Sequence, residues 1–128
     1  MEFSHPNGHT AEWSPTVLVV DDEPAIREVV ATLLEEEGYA VCRAADGREA
    51  LLVVEEHAVD LVVSDIRMPK LDGAMLVREL RRQGHGVPVV LMSAVYADVD
   101  LPGVRFVPKP FELDHLLVAV EKALAAPW

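Results

Sequence analysis

The sequence is poor in cysteine and in long apolar runs. Its one cysteine, Cys42, cannot form an internal disulfide, and this usage is typical of a reducing cytoplasm. No apolar run approaches the length of a membrane span, and residues 1–15 lack the basic start and apolar core of a signal peptide. We therefore expect a cytoplasmic location without membrane insertion.

Basic residues are also scarce relative to acidic ones. Lys and Arg total 11 against 22 Asp and Glu, which gives a formal net charge of −11 at pH 7. Because proteins bind the phosphate backbone through cationic side chains, this balance argues against direct binding of nucleic acid. The chain has 128 residues, 51% of them hydrophobic, and shows no internal repeat or low-complexity segment. These features indicate a single domain with a substantial core.

The order of the apolar patterns predicts the fold class. Residues 1–15 contain prolines and a glycine without periodicity, which predicts a flexible N-terminal tail ahead of a domain at residues 16–126. In the domain, apolar runs typical of strands alternate with segments of helical periodicity, which predicts an α/β fold with a parallel sheet and helices on both faces. The predicted strands are residues 16–20, 39–43, 59–65, 87–92 and 104–107, and the predicted helices are residues 24–37, 48–57, a segment after Gly73, and 111–125.

Polar residues follow four of these strands. Asp21 and Asp22 follow the first strand, Asp65 ends the third, Ser93 follows the fourth, and Lys109 comes just after the fifth. Because parallel strands end at the same edge of a sheet, these side chains should converge where open α/β sheets bind ligands. Neighbouring carboxylates raise each other's pKa, and Mg²⁺, which prefers oxygen ligands, would relieve that repulsion. The pattern therefore predicts that Asp65 is a nucleophile for a phosphoryl group, assisted by Mg²⁺.

Each of these residues alone has a simpler interpretation. Asp22 could cap the helix that begins at Pro24, because Asp is common at that position. Ser93 could be a turn residue, Lys109 a solvated side chain, and Asp65 a strand end without a function. Their joint placement at strand ends favours the chemical interpretation.

Four short motifs, in this order, resemble those of the receiver domains of two-component response regulators. They are Val17–Pro24, Ser64–Pro69 followed by Asp72-Gly73, Met92–Ala94, and Pro108–Phe111. The resemblance implies a flavodoxin-like, doubly wound, five-stranded sheet of strand order 2-1-3-4-5. It also implies that Asp65 is the phosphoacceptor, and that Asp21, Asp22, Asp65 and the backbone carbonyl of Arg67 hold Mg²⁺.

The resemblance further implies a switch and a set of partners. Ser93 and Lys109 would contact the phosphoryl oxygens, and Ser93 and Phe106 would change position on phosphorylation. The donor would be a phosphohistidine on a sensor histidine kinase or a histidine phosphotransfer protein, and the target an unknown downstream protein. The domain would catalyse only its own phosphorylation and dephosphorylation, so we expect no separate enzymatic activity. It could be a single-domain regulator or the receiver of a hybrid kinase.

The expected kinase-contacting surface lies on the first predicted helix. By the same resemblance, it would be centred on Ile26, Arg27 and Val30.

The chain departs from the family between Ser93 and Lys109. These residues are sixteen positions apart, and typical receivers have about six more, enough for nearly two turns of helix. We therefore expect the family's fourth helix to be shortened or missing, with residues 95–103 forming a loop or a single turn that replaces it as the moving part. The resemblance also implies a cis peptide bond between Lys109 and Pro110.

Three other functions are weighed against this interpretation. A pseudo-receiver would use the same fold as a protein-binding module without phosphorylation, and the shortened helix leaves that possibility open. A Mg²⁺-dependent phosphatase with an aspartyl nucleophile needs a second acid two residues later, where this chain has Arg67. A flavodoxin-like carrier needs a phosphate-binding loop after the first strand, where Asp21 and Asp22 stand instead.

Overall fold

The chain folds as alternating strands and helices. The computed structural model describes residues 14–68, 71–93, 103–109 and 112–125. The elements in these ranges are β1 Thr16–Val20, α1 Pro24–Glu36, β2 Ala40–Ala44, α2 Gly47–Glu56, β3 Leu61–Asp65, α3 Gly73–Arg82, β4 Val89–Ser93, β5 Val104–Pro108 and α4 Leu113–Ala125. None of the described helices is long and apolar enough to cross a membrane.

All five strands form one parallel sheet in the order β2-β1-β3-β4-β5. This confirms the predicted α/β class and strand order. The register pairs Val20 with Ser64, and Asp65 with Met92. The strands therefore end side by side, and the carboxyl ends of β1, β3, β4 and β5 lie at one edge of the sheet.

Alternating side chains of the central strands feed two separate cores. Val17 and Val19 point to one face of the sheet and pack with α1 and α4, whereas Leu18 and Val20 point to the other and pack with α2 and α3. All four side chains are fully buried, as expected for a parallel strand covered by helices on both faces. β1 and β3 are thereby fixed at the centre of the molecule.

Helical periodicity predicts apolar stripes on three helices that are wider than the faces the structure packs. Val29, Met75 and Leu113 have the spacing of core-facing residues, but they are 52%, 43% and 42% exposed. None of the three belongs to either core cluster of the described residues. Val30, which was expected on the kinase-contacting surface, is instead buried in the core. A buried side chain cannot contact a kinase, so Val30 drops out of the expected kinase-contacting surface.

Several predictions fall outside the described residues. They concern residues 1–13 of the tail, most of the segment 95–103 that was expected to replace the family's fourth helix, and the peptide bond to Pro110. The described residues contain four helices, the last of which is α4. At the tail's end, Pro15 is buried and its carbonyl accepts a hydrogen bond from Ala40 N at 3.0 Å.

Candidate functional site

Asp21 is fixed on several sides at the end of β1. Its N–H donates to Ala44 O at 3.2 Å, and its carbonyl accepts from Arg27 Nη1 at 2.9 Å. Its Oδ1 accepts from Glu23 N at 2.9 Å, a turn that orients the carboxylate. Asp21 is fully buried, whereas its neighbour Asp22 is exposed. The two adjacent acids therefore offer one preoriented and one solvent-facing carboxylate.

Asp65 is the last residue of β3 and is held by the sheet itself. The next residue continues the ladder, with Ile66 N donating to Met92 O at 3.0 Å. The buried hydroxyl of Ser64 donates to Asp65 O at 2.8 Å. Asp65 is 7% exposed, and its Oδ1 lies 3.4 Å from Arg67 N, at the long limit of a hydrogen bond. The carboxylate is thus almost buried while its backbone is rigidly placed.

The three carboxylates come together as predicted. One oxygen from each of Asp21, Asp22 and Asp65 lies within 4.8 Å of the others. Lys109 Nζ is 3.4 Å from Asp65 Oδ2 and 4.0 Å from Asp21 Oδ2. Asp21 Oδ2 is buried and has no hydrogen-bond partner among the described residues. A buried acceptor without a partner is costly unless a ligand satisfies it.

The electrostatics of this cluster fit a divalent cation. Burial raises the pKa of Asp21, the hydrogen bond from Glu23 N opposes that rise, and the charges of Asp65 and Asp22 add to it. One ammonium, Lys109, cannot neutralise three carboxylates. Hard carboxylate oxygens are the ligands that Mg²⁺ uses when it binds phosphate groups. The residues present therefore match the donor set of a magnesium site.

Ser93 and Lys109 are joined through their backbones at the same edge. Lys109 N donates to Ser93 O at 2.7 Å, and β4 and β5 pair Ser93 with Pro108. Ser93 is 3% exposed. Phe106 lies two residues before the end of β5, is half-buried, and packs against the core on the α2 and α3 side. The proposed phosphate-contacting and switching roles of these residues stay predictions.

An open cleft of about 500 Å³ lies beside the acids. Its lining residues are Asp22, Ile66, Arg67, Met68 and Asp72. Arg67 is exposed in this cleft, so the chain provides a route to the cluster from solvent. The predicted role of the Arg67 carbonyl as a metal ligand stays a prediction.

Sequence reasoning did not identify the residues that support the acids. Arg27 was considered only as a kinase contact, yet it holds the carbonyl of Asp21. Ser64 was part of a motif without a role of its own, yet it holds the carbonyl of Asp65. An arginine one turn into α1 and a hydroxyl before the strand-ending acid were the available signals.

Comparison with known proteins identifies the family. The sequence model described as "Response regulator receiver domain" matches residues 17–121. The chain is 39% identical over 114 residues to the response regulator MprA of Mycolicibacterium vanbaalenii, covering 84% of this chain and 49% of that protein. It is 41% identical over 119 residues to the sensor kinase CckA of Brucella abortus, covering 87% of this chain and 13% of the kinase. The chain therefore spans half or less of the length of these two relatives.

Solved structures show the same relationship in three dimensions. The receiver domain of a hybrid histidine kinase CckA matches with a TM-score of 0.75 and 40% identity, covering 85% of this chain and 98% of that one. The chemotaxis protein CheY4 of Vibrio cholerae matches with a TM-score of 0.81 and 30% identity, covering 88% of this chain and 100% of that one.

Proposed function

The chain belongs to the response regulator receiver domain family, and from that premise we propose that it transfers a phosphoryl group from a phosphohistidine to Asp65 with the help of Mg²⁺. The observation that carries this proposal is the cluster itself. Three carboxylates offer oxygens within 4.8 Å of one another, and an ammonium lies 3.4 Å from the proposed nucleophile.

In the proposed reaction, the carboxylate of Asp65 attacks the phosphorus atom of the donor. An oxygen of its carboxylate forms the new O–P bond, the P–N bond to the donor histidine breaks, and the histidine nitrogen keeps the electron pair. Mg²⁺, when bound by Asp21, Asp22, Asp65 and the carbonyl of Arg67, supplies positive charge that offsets the carboxylates and the phosphoryl oxygens. The chain's own contribution is to hold the nearly buried Asp65 still and to set the Lys109 ammonium where phosphoryl charge would accumulate.

The resulting aspartyl phosphate would be a signal and not a product. Water would later hydrolyse it and restore Asp65, so the domain would turn over no separate substrate. Ser93 and Phe106 would report the phosphorylated state to a protein-interaction surface. The β4–β5 register pairs Leu91 with Phe106 and Ser93 with Pro108, so both proposed switch residues lie in neighbouring strands, and such coupling needs an element with two stable positions.

The proposed partners follow from this chemistry. A sensor histidine kinase or a histidine phosphotransfer protein would supply the phosphoryl group, and a downstream protein would read the switch. The likeness to part of a sensor kinase and to part of a response regulator supports either a single-domain regulator or the receiver of a hybrid kinase. The net charge of −11 supports signalling by this domain through a protein, without direct contact to nucleic acid. The single cysteine supports the proposed cytoplasmic location.

The proposal is tested with a small phosphodonor that needs no kinase. The protein is incubated with phosphoramidate and Mg²⁺, and phosphorylation that hydroxylamine removes, as expected of an acyl phosphate, is followed by intact mass and phosphate-affinity electrophoresis. Wild type should be modified once, Asp65→Asn should not, and chelation of Mg²⁺ should stop the reaction. Asp60→Asn is the matched control, because Asp60 lies just before β3, at the opposite edge of the sheet.

Two results would contradict the proposal. One is a wild-type protein that stays unmodified under these conditions, and the other is equal modification of Asp65→Asn. An unmodified wild type that still binds its partners would favour the non-phosphorylated pseudo-receiver instead.

A further inference from the structure

Two Asp-Gly pairs begin the two helices on one face of the sheet. Asp46 Oδ1 accepts from Glu49 N at 2.9 Å at the start of α2, and Asp72 Oδ1 accepts from Met75 N at 2.8 Å at the start of α3. Gly47 and Gly73 are then the first residues of these helices. The capping role of the acids is ordinary, but it does not explain why a glycine follows each of them.

Backbone flexibility does not explain these glycines either. The described glycines with a positive φ angle are Gly38, Gly84 and Gly103, so Gly47 and Gly73 adopt backbone angles that other residues tolerate. Glycine also has the lowest helix propensity after proline, so it brings no local advantage to the first residue of a helix. Their presence needs a reason in their surroundings.

Gly73 lies against the backbone of the proposed phosphoacceptor. A Cβ atom at Gly73 would be 2.5 Å from Asp65 O and 2.9 Å from Ile66 Cα, which is closer than such atoms approach. Gly73 N also donates to Ile66 O at 2.8 Å. The absent side chain therefore leaves room for the Asp65–Ile66 peptide, while the N–H of Gly73 binds the carbonyl of the next peptide, Ile66–Arg67.

Gly47 makes the equivalent contact at the other end of the loop. A Cβ atom at Gly47 would be 2.5 Å from Leu71 O and 2.8 Å from Leu71 Cβ. The β3–α3 loop thus meets a glycine of α2 near its end and a glycine of α3 at its beginning. At each glycine the nearest atom is a backbone oxygen, which cannot move aside as the tip of a flexible side chain can.

We propose that Gly47 and Gly73 are positioning residues for phosphoryl transfer, holding the β3–α3 loop so that Asp65 and the carbonyl of Arg67 stand ready for cation and donor. This inference rests on the proposed function and extends it to residues that touch no reactant. A side chain at Gly73 would push the Asp65–Ile66 peptide, and displacements of about 1 Å are enough to slow an enzymatic step by roughly 100-fold.

The experiment compares three glycine-to-alanine variants. Gly73→Ala and Gly47→Ala introduce the backbone clash, and Gly86→Ala is the control, because a Cβ there meets nothing within 4 Å. For each full-length variant we would measure the unfolding midpoint, the Mg²⁺ dissociation constant by calorimetry, and the phosphorylation rate with phosphoramidate at saturating Mg²⁺. Rates are taken well below the unfolding midpoint, so that a change in stability alone leaves them unmoved.

We expect Gly73→Ala to fold, to bind Mg²⁺ more weakly, and to react about 100-fold more slowly than wild type. Gly47→Ala should react about tenfold more slowly, since it acts on the loop at a greater distance from Asp65. Gly86→Ala should match wild type in all three measurements.

Wild-type rates and Mg²⁺ affinity in a folded Gly73→Ala protein would overturn the inference. Loss of the native circular dichroism spectrum in both Gly73→Ala and Gly47→Ala would also overturn it, because the glycines would then serve folding and not positioning. Failure of the proposed function looks different, since the wild-type protein itself would then accept no phosphoryl group.

Discussion

At the amino-terminal edge of the sheet, Thr16 and Asp60 bind each other twice. Thr16 N donates to Asp60 Oδ2 at 2.7 Å, and Asp60 N donates to Thr16 O at 2.8 Å. At the opposite edge, Asp21 and Asp65 face each other across β1 and β3 with Asp22 beside them. Both edges carry acids near the ends of the same two strands, but at the second edge the buried Asp21 Oδ2 has no hydrogen-bond partner among the described residues.

The loop between α3 and β4 extends the contrast. Arg81 Nη1 donates to His85 O at 2.9 Å and to Val87 O at 2.8 Å. One half-buried guanidinium therefore holds the loop through which the chain returns from α3 to the sheet. Lys109, at the other edge, touches two carboxylates and neutralises neither completely. One end of the sheet is thus satisfied internally, and under the proposed function the other end would be completed by an ion and a phosphoryl group.

Replacing Lys109 by Met should have the largest effect, and it acts on the incomplete edge. The ammonium faces Asp65 Oδ2 at 3.4 Å, and loss of one such group aimed at developing charge costs about 100-fold in rate. Mg²⁺ should bind more tightly, because a competing cation has been removed. Phosphoramidate kinetics and calorimetry measure the two effects, and Lys122→Met, on the exposed face of α4, is the control. An unchanged rate would show that Lys109 is only a structural counterion.

Replacing Arg81 by Met tests the satisfied edge. Two backbone carbonyls lose a charged donor, and we expect the free energy of unfolding to fall by about 2 kcal/mol. The phosphorylation rate should stay at the wild-type value, because Arg81 lies at the far edge. Urea denaturation gives the stability, and Arg78→Met, exposed on the same helix, gives the baseline. A loss of rate without a loss of stability would contradict the separation of the two edges.

Replacing Asp21 by Asn should stabilise the protein in the absence of Mg²⁺. Two unit charges about 4 Å apart interact by roughly 4 kcal/mol at an effective dielectric constant of about 20. Lys109 already offsets part of that repulsion, so we expect a gain of about 1 kcal/mol in the free energy of unfolding. Added Mg²⁺ should stabilise wild type and not the variant, as thermal denaturation with and without the cation would show.

The gain from Asp21→Asn should depend on pH. Burial raises the pKa of Asp21 above its ordinary 3.8, so the folded protein holds this proton to higher pH than the unfolded chain does. The destabilising effect is therefore absent below the ordinary pKa of 3.8, grows as pH rises from there to the raised pKa of the folded protein, and is complete above it. A stability difference between wild type and variant that is constant across this range would contradict the assignment of the cost to the ionised carboxylate.

Much of the fold and the meeting of the acids could be predicted, because both depend on simple patterns. β1 and β3 are apolar runs buried on both faces, and the alternation of strands and helices places their ends at one edge. An acid that ends such a strand or directly follows it, as Asp65 and Asp21 do, has little freedom to lie elsewhere. The proximity of Asp21, Asp22, Asp65 and Lys109 followed from topology alone.

The parts that could not be predicted depend on distances of a few ångströms. Val29 and Val30 point about 100° apart around α1, so both can belong to a broad apolar stripe, and only the packing of the helix decides that Val30 is buried and Val29 exposed. The close approaches of Gly47 and Gly73 to backbone atoms are likewise invisible in sequence, where each glycine reads as part of a turn.

The neighbours Asp21 and Asp22 differ completely in exposure, one sealed and the other open to the cleft beside Arg67. A cation held partly by a solvent-facing carboxylate can enter and leave without the domain unfolding. We expect the bound Mg²⁺ to have a short residence time and an occupancy that follows the free Mg²⁺ concentration around the protein. The fraction of domains ready to accept a phosphoryl group would then depend on that concentration.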